Sequence, residues 1–294
     1  MSPETWTVLQ LLKWAADYFA SHRIHPPRPT AELLLAHILG FNRVDLYIQY
    51  DRPLNPRELA AFKDVIKRRL RGEPVAYIVG ERGFWSLDLH VTPDVLIPRP
   101  ETETLVETAL DLLPETPVGE PKRVLDLGTG SGAIVLALAM ERPGHWFYAV
   151  DRSWMALKVA DKNARKYGLK ETVRFVCADW FDGLAEKQKG FDLIVSNPPY
   201  VRRAEIDELA VDVSKYEPRE ALDGGPDGLD LIRILVRRAP TFVRPAGWLV
   251  FEIGYDQAEG VQRLMSATGA YEELAVIKDY NGHDRVIRAR VKGR

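Results

Sequence analysis

From Arg123 onward the chain alternates between short apolar segments typical of strands and longer segments with apolar residues at helical spacing. This alternation predicts a parallel sheet covered by helices, because parallel strands are joined by crossover helices. The last two strand-like segments, 272–279 and 284–291, flank Asn281-Gly282, which favours a tight hairpin. We therefore predict an α/β fold whose sheet is mostly parallel and finishes with one antiparallel strand.

The first 80 residues show a different pattern. Apolar residues recur at helical spacing over 5–20, from Thr30 to Gly40 and over 57–71, which predicts a small helical bundle without catalytic side chains. Residues 83–97 instead alternate between apolar and polar, with a predicted turn at Thr92-Pro93-Asp94. We expect a helical domain for substrate or partner binding at 1–80, a β-hairpin linker at 81–98 and a catalytic domain at 99–294.

Composition narrows the classes of protein. No apolar run approaches the roughly 20 residues of a membrane helix, and a net charge of −2 argues against a dedicated nucleic-acid binder. Residues 1–6 lack the basic start of a signal peptide. The one cysteine, Cys177, excludes an intrachain disulfide, and its apolar neighbours predict a buried small residue. We expect a cytoplasmic monomer without a metal site.

The segment Phe191–Tyr200 begins as a buried strand and ends at two prolines, which lack the backbone donor that a central strand needs. Asn197-Pro198-Pro199-Tyr200 should therefore leave the carboxyl end of that strand as a stiff loop, where open parallel sheets bind ligands. The Asn197 side-chain oxygen and the Pro198 carbonyl could grip the two hydrogens of a planar NH2 group beside Tyr200. The alternative is an ordinary Pro-Pro turn after a strand.

A glycine-rich turn follows the first strand of the catalytic domain. Gly128, Gly130 and Gly132 allow close approach of a ligand to the backbone, and Asp151 ends the next strand, where a carboxylate can bind ribose hydroxyls. The turn, Gly128-Thr129-Gly130-Ser131-Gly132, also satisfies a relaxed dinucleotide fingerprint.

Three features favour S-adenosylmethionine (AdoMet) over a dinucleotide. Asp126 lies just before the glycine-rich turn, where a cation is better tolerated than a pyrophosphate. Asp179-Trp180 follows the third strand and could frame an adenine. The fourth strand ends in the loop at Asn197, which suits an amine rather than a nicotinamide. The alternative for Asp126 and Asp151 is capping of strand ends.

Five motifs of the sequence are typical of one family. They are Leu96-Ile97-Pro98-Arg99-Pro100-Glu101-Thr102-Glu103, Asp126-Leu127-Gly128-Thr129-Gly130-Ser131-Gly132, Ser196-Asn197-Pro198-Pro199-Tyr200, Tyr216-Glu217-Pro218-Arg219 and Glu252-Ile253-Gly254. In this order and spacing, the sequence resembles the peptide chain release factor N(5)-glutamine methyltransferases, the PrmC/HemK family, over most of residues 75–290. The N-terminal region resembles that family only in layout. One departure is Trp154, where the family more often has a proline or a small residue.

The resemblance implies a Rossmann-like, class I AdoMet-dependent methyltransferase domain. It implies that the acceptor is the glutamine of a Gly-Gly-Gln motif in a release factor, and that residues 197–200 bind this glutamine. It implies AdoMet contacts from Gly128 to Gly132, Asp151, Trp180 and Asn197.

The sequence leaves two roles open for Arg99 and assigns no chemistry to Tyr216–Arg219. Arg99 could close the pocket or anchor the substrate backbone, or it could form an ion pair with Glu101 or Glu217. Tyr216–Arg219 should shape a loop over the site. Other functions stay open: an AdoMet-dependent amino methyltransferase for adenine or guanine in DNA or RNA, a helical adaptor with a degenerate methyltransferase domain, and a nicotinamide oxidoreductase.

Overall fold

The computed structural model describes residues 6–115, 120–184 and 190–293. The chain divides into two compact units. The first comprises Met1–Glu81 together with Ala210–Tyr216, and the second comprises Arg82–Leu209 together with Glu217–Arg294.

The first unit is helical. Its helices surround one apolar core, which includes Phe19, Leu35 and Phe62. Asn55 caps the fourth helix, because its side chain accepts hydrogen bonds from the backbone of Arg57 and Glu58. The helices are α1 (Val8–Ser21), α2 (Pro27–Leu39), α3 (Asp45–Ile48), α4 (Pro56–Leu70), α5 (Val75–Val79) and α9 (Val211–Ser214).

Helix α9 is separated from the rest of its unit by more than 120 residues of sequence. The guanidinium of Arg69 lies 3.3 Å from Asp212, and the Tyr216 hydroxyl donates to the Arg71 carbonyl. Gly72 adopts a positive φ, and an added Cβ would lie 2.7 Å from Val211. These contacts explain why a seven-residue segment of the second half of the sequence belongs to the first unit.

The second unit contains both sheets and the remaining helices. Its elements are β1 (Glu81–Phe84), β2 (Leu87–His90), α6 (Glu103–Leu110), β3 (Arg123–Leu127), α7 (Ala133–Glu141), β4 (Trp146–Asp151), α8 (Trp154–Lys166), β5 (Val173–Cys177), β6 (Phe191–Ser196), α10 (Asp230–Phe242), β7 (Val243–Glu252), α11 (Ala258–Thr268), β8 (Tyr271–Lys278) and β9 (Asp284–Val291). Short 3₁₀ turns cover Pro100–Thr102, Arg203–Glu208 and Arg219–Ala221.

Within the described residues the main sheet has seven strands in the order β5-β4-β3-β6-β7-β9-β8. Strands β3 to β7 pair in parallel, and β9 pairs antiparallel with both β7 and β8. The expected mostly parallel sheet with one antiparallel strand is confirmed. The antiparallel strand is the last in the chain, but it is inserted between β7 and β8 rather than added at the edge.

Alternating residues of the central strands pack on opposite faces of this sheet, as the two-residue period of a strand requires. Val124 and Val195 pack with α6 and α7 on one face. Leu125 and Ile194 pack with α10 and α11 on the other face. Both faces are therefore covered, as is usual for parallel strands.

Two local predictions were wrong. Strands β1 and β2 do form a two-stranded sheet, but Trp85-Ser86 connects them rather than Thr92-Pro93-Asp94. Trp85 adopts a φ of 55°, which the sequence does not predict because bulky residues rarely adopt a positive φ. Cys177 is exposed rather than buried, because it ends β5 and β5 is the outermost strand of the sheet.

Candidate active site

The register of the central strands brings their carboxyl ends to one edge of the sheet. Leu127 pairs with Val150 and with Ser196, and Ser196 pairs with Phe251. The residues that follow these pairs are therefore neighbours at this edge. They are Gly128, Asp151, Asn197 and Glu252.

A cavity opens at this edge, within the second unit. Its wall includes ten residues that the sequence predicts as site residues: Arg99, Gly128, Thr129, Gly130, Ser131, Asp151, Asp179, Trp180, Asn197 and Pro199. Three predicted site residues, all in the described part of the chain, lie outside the wall: Gly132, Pro198 and Tyr200.

The glycine-rich turn forms an open cradle. Gly128 and Gly130 have φ values of 74° and 55°, and a Cβ added to either would meet nothing within 4 Å. Such a Cβ would occupy space beside the cavity, so glycine at both positions leaves room for a ligand. Gly132 has another role, since its Cβ would approach Leu136 at 3.0 Å and Ala160 at 3.3 Å. Gly132 permits helix packing behind the turn.

Asp126 is buried directly beneath the turn. Its Oδ2 accepts a hydrogen bond of 2.7 Å from the Thr129 hydroxyl, whereas its Oδ1 has no hydrogen-bond partner among the described residues. Burial raises the pKa of Asp126 to about 7. An unpaired carboxylate oxygen at this position favours a cationic ligand, because burial without compensation is costly.

Asp151 ends β4 and already accepts two backbone hydrogen bonds. Gly130 N donates to its Oδ2 at 2.9 Å, and Ser153 N donates to its Oδ1 at 2.8 Å. Burial raises the pKa of this carboxyl above its usual value. The capping alternative is therefore partly correct, although each carboxylate oxygen keeps a further lone pair that a ribose hydroxyl can use.

The loop after β6 is held from behind. The Asn197 amide Nδ2 donates to Thr102 Oγ1 at 3.2 Å, and the Tyr200 hydroxyl donates to Glu252 Oε1 at 2.9 Å. Burial and the neighbouring Glu252 raise the pKa of Tyr200, so its hydroxyl stays protonated. Pro198 is buried, and the Tyr200 ring packs against the core around β7 and α10.

Arg99 forms the ion pair with Glu217 that the sequence offered as an alternative, and it also lines the cavity. Its guanidinium lies 2.6 Å from Glu217 Oε1, and Arg99 also forms part of the cavity wall. Of the segment 216–219, Pro218 reaches the cavity, while Arg219 pairs with Asp207 on the surface. A role of Arg99 in substrate binding stays a prediction.

Sequence reasoning missed two groups of residues that shape the site. Thr102 and the buried Glu252 bond to each other, although 150 residues separate them in the chain. Thr102 also bonds to Asn197, and Glu252 also bonds to Tyr200. Gly224 and Gly228 pack directly on the Tyr200 backbone, since a Cβ on Gly228 would lie 2.5 Å from the Tyr200 carbonyl oxygen. The only sequence signals were the acid at the end of a strand and a glycine-rich loop after Leu222.

The sheet topology, the glycine cradle and the carboxylate after β4 define the second unit as a Rossmann-like, class I AdoMet-dependent methyltransferase domain. The residues fit AdoMet, because glycine at positions 128 and 130 leaves the turn open and the carboxylate of Asp151 lines the same cavity.

Family models agree with this class. The PrmC N-terminal domain matches residues 10–80, and the methyltransferase small domain matches residues 103–222. A solved structure of the N-terminal domain of human METTL16 in complex with SAH superimposes with a TM-score of 0.51 at 18% identity, covering 71% of this chain and 76% of that chain. At this identity the likeness concerns the fold.

Curated relatives narrow the class to a family. The chain is 43% identical to the release factor glutamine methyltransferase of Geobacter sulfurreducens over 289 residues, which is 98% of each protein. It is 45% identical to that of Coxiella burnetii over 267 residues, covering 90% of this chain and 92% of the relative. The chain belongs to the release factor glutamine methyltransferase family. Among the described residues, we find no helix that combines the length and the apolar character needed to cross a membrane.

Proposed function

We propose that this chain transfers a methyl group from AdoMet to the side-chain amide nitrogen of the glutamine in the Gly-Gly-Gln motif of a peptide chain release factor. Relatives named for this activity match nearly the whole chain. The observation that carries the proposal is the position of Asn197, which borders the same cavity as the glycine cradle and the carboxylate of Asp151.

The residues that hold AdoMet in this proposal surround one cavity. Gly128 to Ser131 cradle it, Asp151 accepts its ribose hydroxyls, and Asp179 and Trp180 frame its adenine. Gly132 supports the cradle from behind. When bound, AdoMet supplies an electrophilic methyl group.

The loop from Asn197 to Tyr200 prepares the acceptor nitrogen. An amide nitrogen is a poor nucleophile, because its lone pair is delocalised into the carbonyl group. Asn197 Oδ1 and the Pro198 carbonyl accept its two hydrogens, align it, and favour the tetrahedral geometry that it must reach. Pro199 and Tyr200 complete the binding site for the glutamine, and Arg99 anchors the substrate backbone. The nitrogen would release one proton to water as or after the new C–N bond forms, because alkylation makes this proton strongly acidic, so the site needs no strong base.

The helical region of residues 1–80 is the substrate-binding domain in this proposal, and residues 99–294 carry the catalysis. The enzyme acts in the cytoplasm, where translation termination takes place, and we expect it to act as a monomer. It forms no stable complex with nucleic acid, in keeping with a net charge of −2.

The test is mass spectrometry of a release factor incubated with the protein and AdoMet. We expect one added methyl group on the glutamine of the Gly-Gly-Gln motif, and none on a release factor whose motif carries asparagine instead. RNA and DNA are incubated in parallel with methyl-labelled AdoMet. Transfer of the label to nucleic acid, with an unmodified release factor, would contradict the proposal and favour the amino methyltransferase of bases.

A further inference from the structure

Four side chains form one continuous hydrogen-bonded chain that starts at the cavity wall, where Asn197 and Thr102 lie, and runs into the protein. Asn197 Nδ2 lies 3.2 Å from Thr102 Oγ1, and Thr102 Oγ1 lies 2.6 Å from Glu252 Oε2. The other oxygen of this carboxyl, Oε1, accepts the Tyr200 hydroxyl at 2.9 Å. Thr102 is 4% exposed and Glu252 is 1% exposed, so the bond between these two side chains is shielded from water.

The donors and acceptors of this chain give the direction of each bond. The Thr102 hydroxyl donates its single hydrogen to Glu252 Oε2, and the Tyr200 hydroxyl donates to Oε1 of the same carboxyl. The Thr102 oxygen is then left as an acceptor. It can accept from the NH2 side of the Asn197 carboxamide but offers nothing to its oxygen. The opposite rotamer of this amide would set two acceptors, Asn197 Oδ1 and Thr102 Oγ1, against each other.

Arg285 is the cation that faces this buried carboxylate. Burial raises the pKa of Glu252 above its usual value, and the hydrogen bonds from Thr102 and Tyr200 and the charge of Arg285 offset only part of this rise. Glu101 is the acidic group that acts in the other direction. Arg285 is itself held by Asp279 at 3.1 Å and by the Ile253 carbonyl at 3.2 Å.

We propose that Thr102 and Glu252 are positioning residues that orient the Asn197 carboxamide, so that its oxygen faces the cavity and its NH2 group faces the protein. This inference rests on the proposed function, in which Asn197 Oδ1 accepts a hydrogen of the substrate amide. A carboxamide turned the other way would present donors to a substrate NH2 group and repel it. The pair therefore determines whether Asn197 presents an acceptor or donors to the substrate nitrogen.

The test compares Thr102→Val with Thr102→Ser and with a matched control, Thr108→Val. Thr108 is a buried threonine on helix α6 whose hydroxyl bonds only to the Thr104 carbonyl, so it has no link to Asn197. We expect Thr102→Val to lower kcat by about two- to twelvefold, the range for one lost hydrogen bond, with KM for the release factor unchanged. Thr102→Ser should restore kcat to within about twofold, because it keeps the hydroxyl.

Both valine variants remove a buried hydrogen bond and should lower the Tm, so the Tm alone does not distinguish them. The distinguishing result is kcat, which Thr108→Val should leave at the wild-type value. In an Asn197→Ala background, Thr102→Val should cause no further loss of kcat, because the group that it orients is absent. Equal kcat for the two valine variants, or an undiminished loss in the Asn197→Ala background, would overturn the inference.

The outcome for the wild-type protein separates this inference from the proposed function. If the wild-type protein methylates the release factor and Thr102→Val does so at the same rate, only the positioning role fails. If the wild-type protein leaves the release factor unmodified, the proposed function fails.

Discussion

Asn197 is held by its nitrogen, and its oxygen is the part of the side chain left for a ligand. Asn197→Ala removes that acceptor but keeps the strand and the two prolines that follow. We expect kcat to fall by about 10²–10³-fold, as when one preorganised polar contact to the reacting group is lost. Turnover of a release factor measures the effect, and a near-wild-type kcat would contradict the assigned role.

Asp126 makes AdoMet binding depend on pH in a defined direction. Its pKa in the folded protein is about 7, so the carboxyl is largely protonated below this pH and ionised above it. AdoMet carries a net positive charge, so its affinity should rise as the pH increases from about 6 to 8. Calorimetry should also detect proton release on binding near pH 6.

The control for this prediction is Asp126→Asn, which keeps an acceptor for Thr129 but cannot ionise. Its AdoMet affinity should lose the part of the pH dependence that Asp126 causes. The raised pKa also carries a cost for the free protein: the unfolded chain ionises near 3.8 and the folded chain only near 7, so stability falls as pH rises between these values. Asp126→Asn should therefore stabilise the free protein more at about pH 8 than at about pH 4. An equal effect at both pH values would contradict the assignment.

At the scale of single residues, the sequence predicts chemistry better than it predicts environment. The residue types at Gly128, Asp151 and Asn197 were sufficient to place them at one sheet edge, because each follows a strand. The exposure of Cys177 could not be predicted from the sequence, because it depends on which strand lies at the edge of the sheet. Glu252 belongs to one of the family motifs, but the sequence does not indicate its role, because its partner Thr102 lies 150 residues away in the chain.

At the scale of elements, the loop after β6 depends on a second loop that packs against it. Gly228 has a φ of 77°, and an added Cβ would lie 2.5 Å from the Tyr200 carbonyl oxygen and 2.6 Å from Gln257 Nε2. Gln257 Nε2 in turn donates to the Tyr200 carbonyl at 3.0 Å and to the Gly228 carbonyl at 3.2 Å. This loop and the side chain of Gln257 together fix the backbone of Tyr200.

Gly228→Ala should therefore displace Tyr200 and lower kcat by about 10- to 100-fold, since small errors in position are costly to catalysis. Gly168→Ala is the matched control, because Gly168 has a similar φ of 70° with nothing within 4 Å of its Cβ. Both variants should lose stability from the positive φ, but only Gly228→Ala should lose kcat. Equal kcat for the two variants would show that this contact does not matter to catalysis.

Among the elements, strands and helices were predictable where periodicity is strong, and connections were not. The Asn281-Gly282 signal does mark a hairpin, but its loop spans five residues, 279–283. Asp279 Oδ1 accepts backbone hydrogen bonds from Asn281 at 2.9 Å and His283 at 3.0 Å, and these bonds stabilise the longer loop. The insertion of β9 between β7 and β8 was likewise not predictable, because the order of strands in the sequence does not determine their order in the sheet.

At the scale of the whole molecule, two folding units correspond to two matched family models, one helical and one α/β. The return of residues 210–216 to the helical unit could not be predicted, because it rests on contacts such as that of Arg69 with Asp212. The family was predictable, since its motifs are short, local and correctly ordered along the chain.

The most direct test is a crystal structure of the protein with S-adenosylhomocysteine bound. We expect the ligand in the glycine cradle, its ribose on Asp151, its adenine beside Trp180 and its sulfur directed at Asn197 Oδ1 and the Pro198 carbonyl. A sulfur atom that lies far from these two oxygens, or faces away from them, would contradict a site built to hold an amide nitrogen in line with the methyl group.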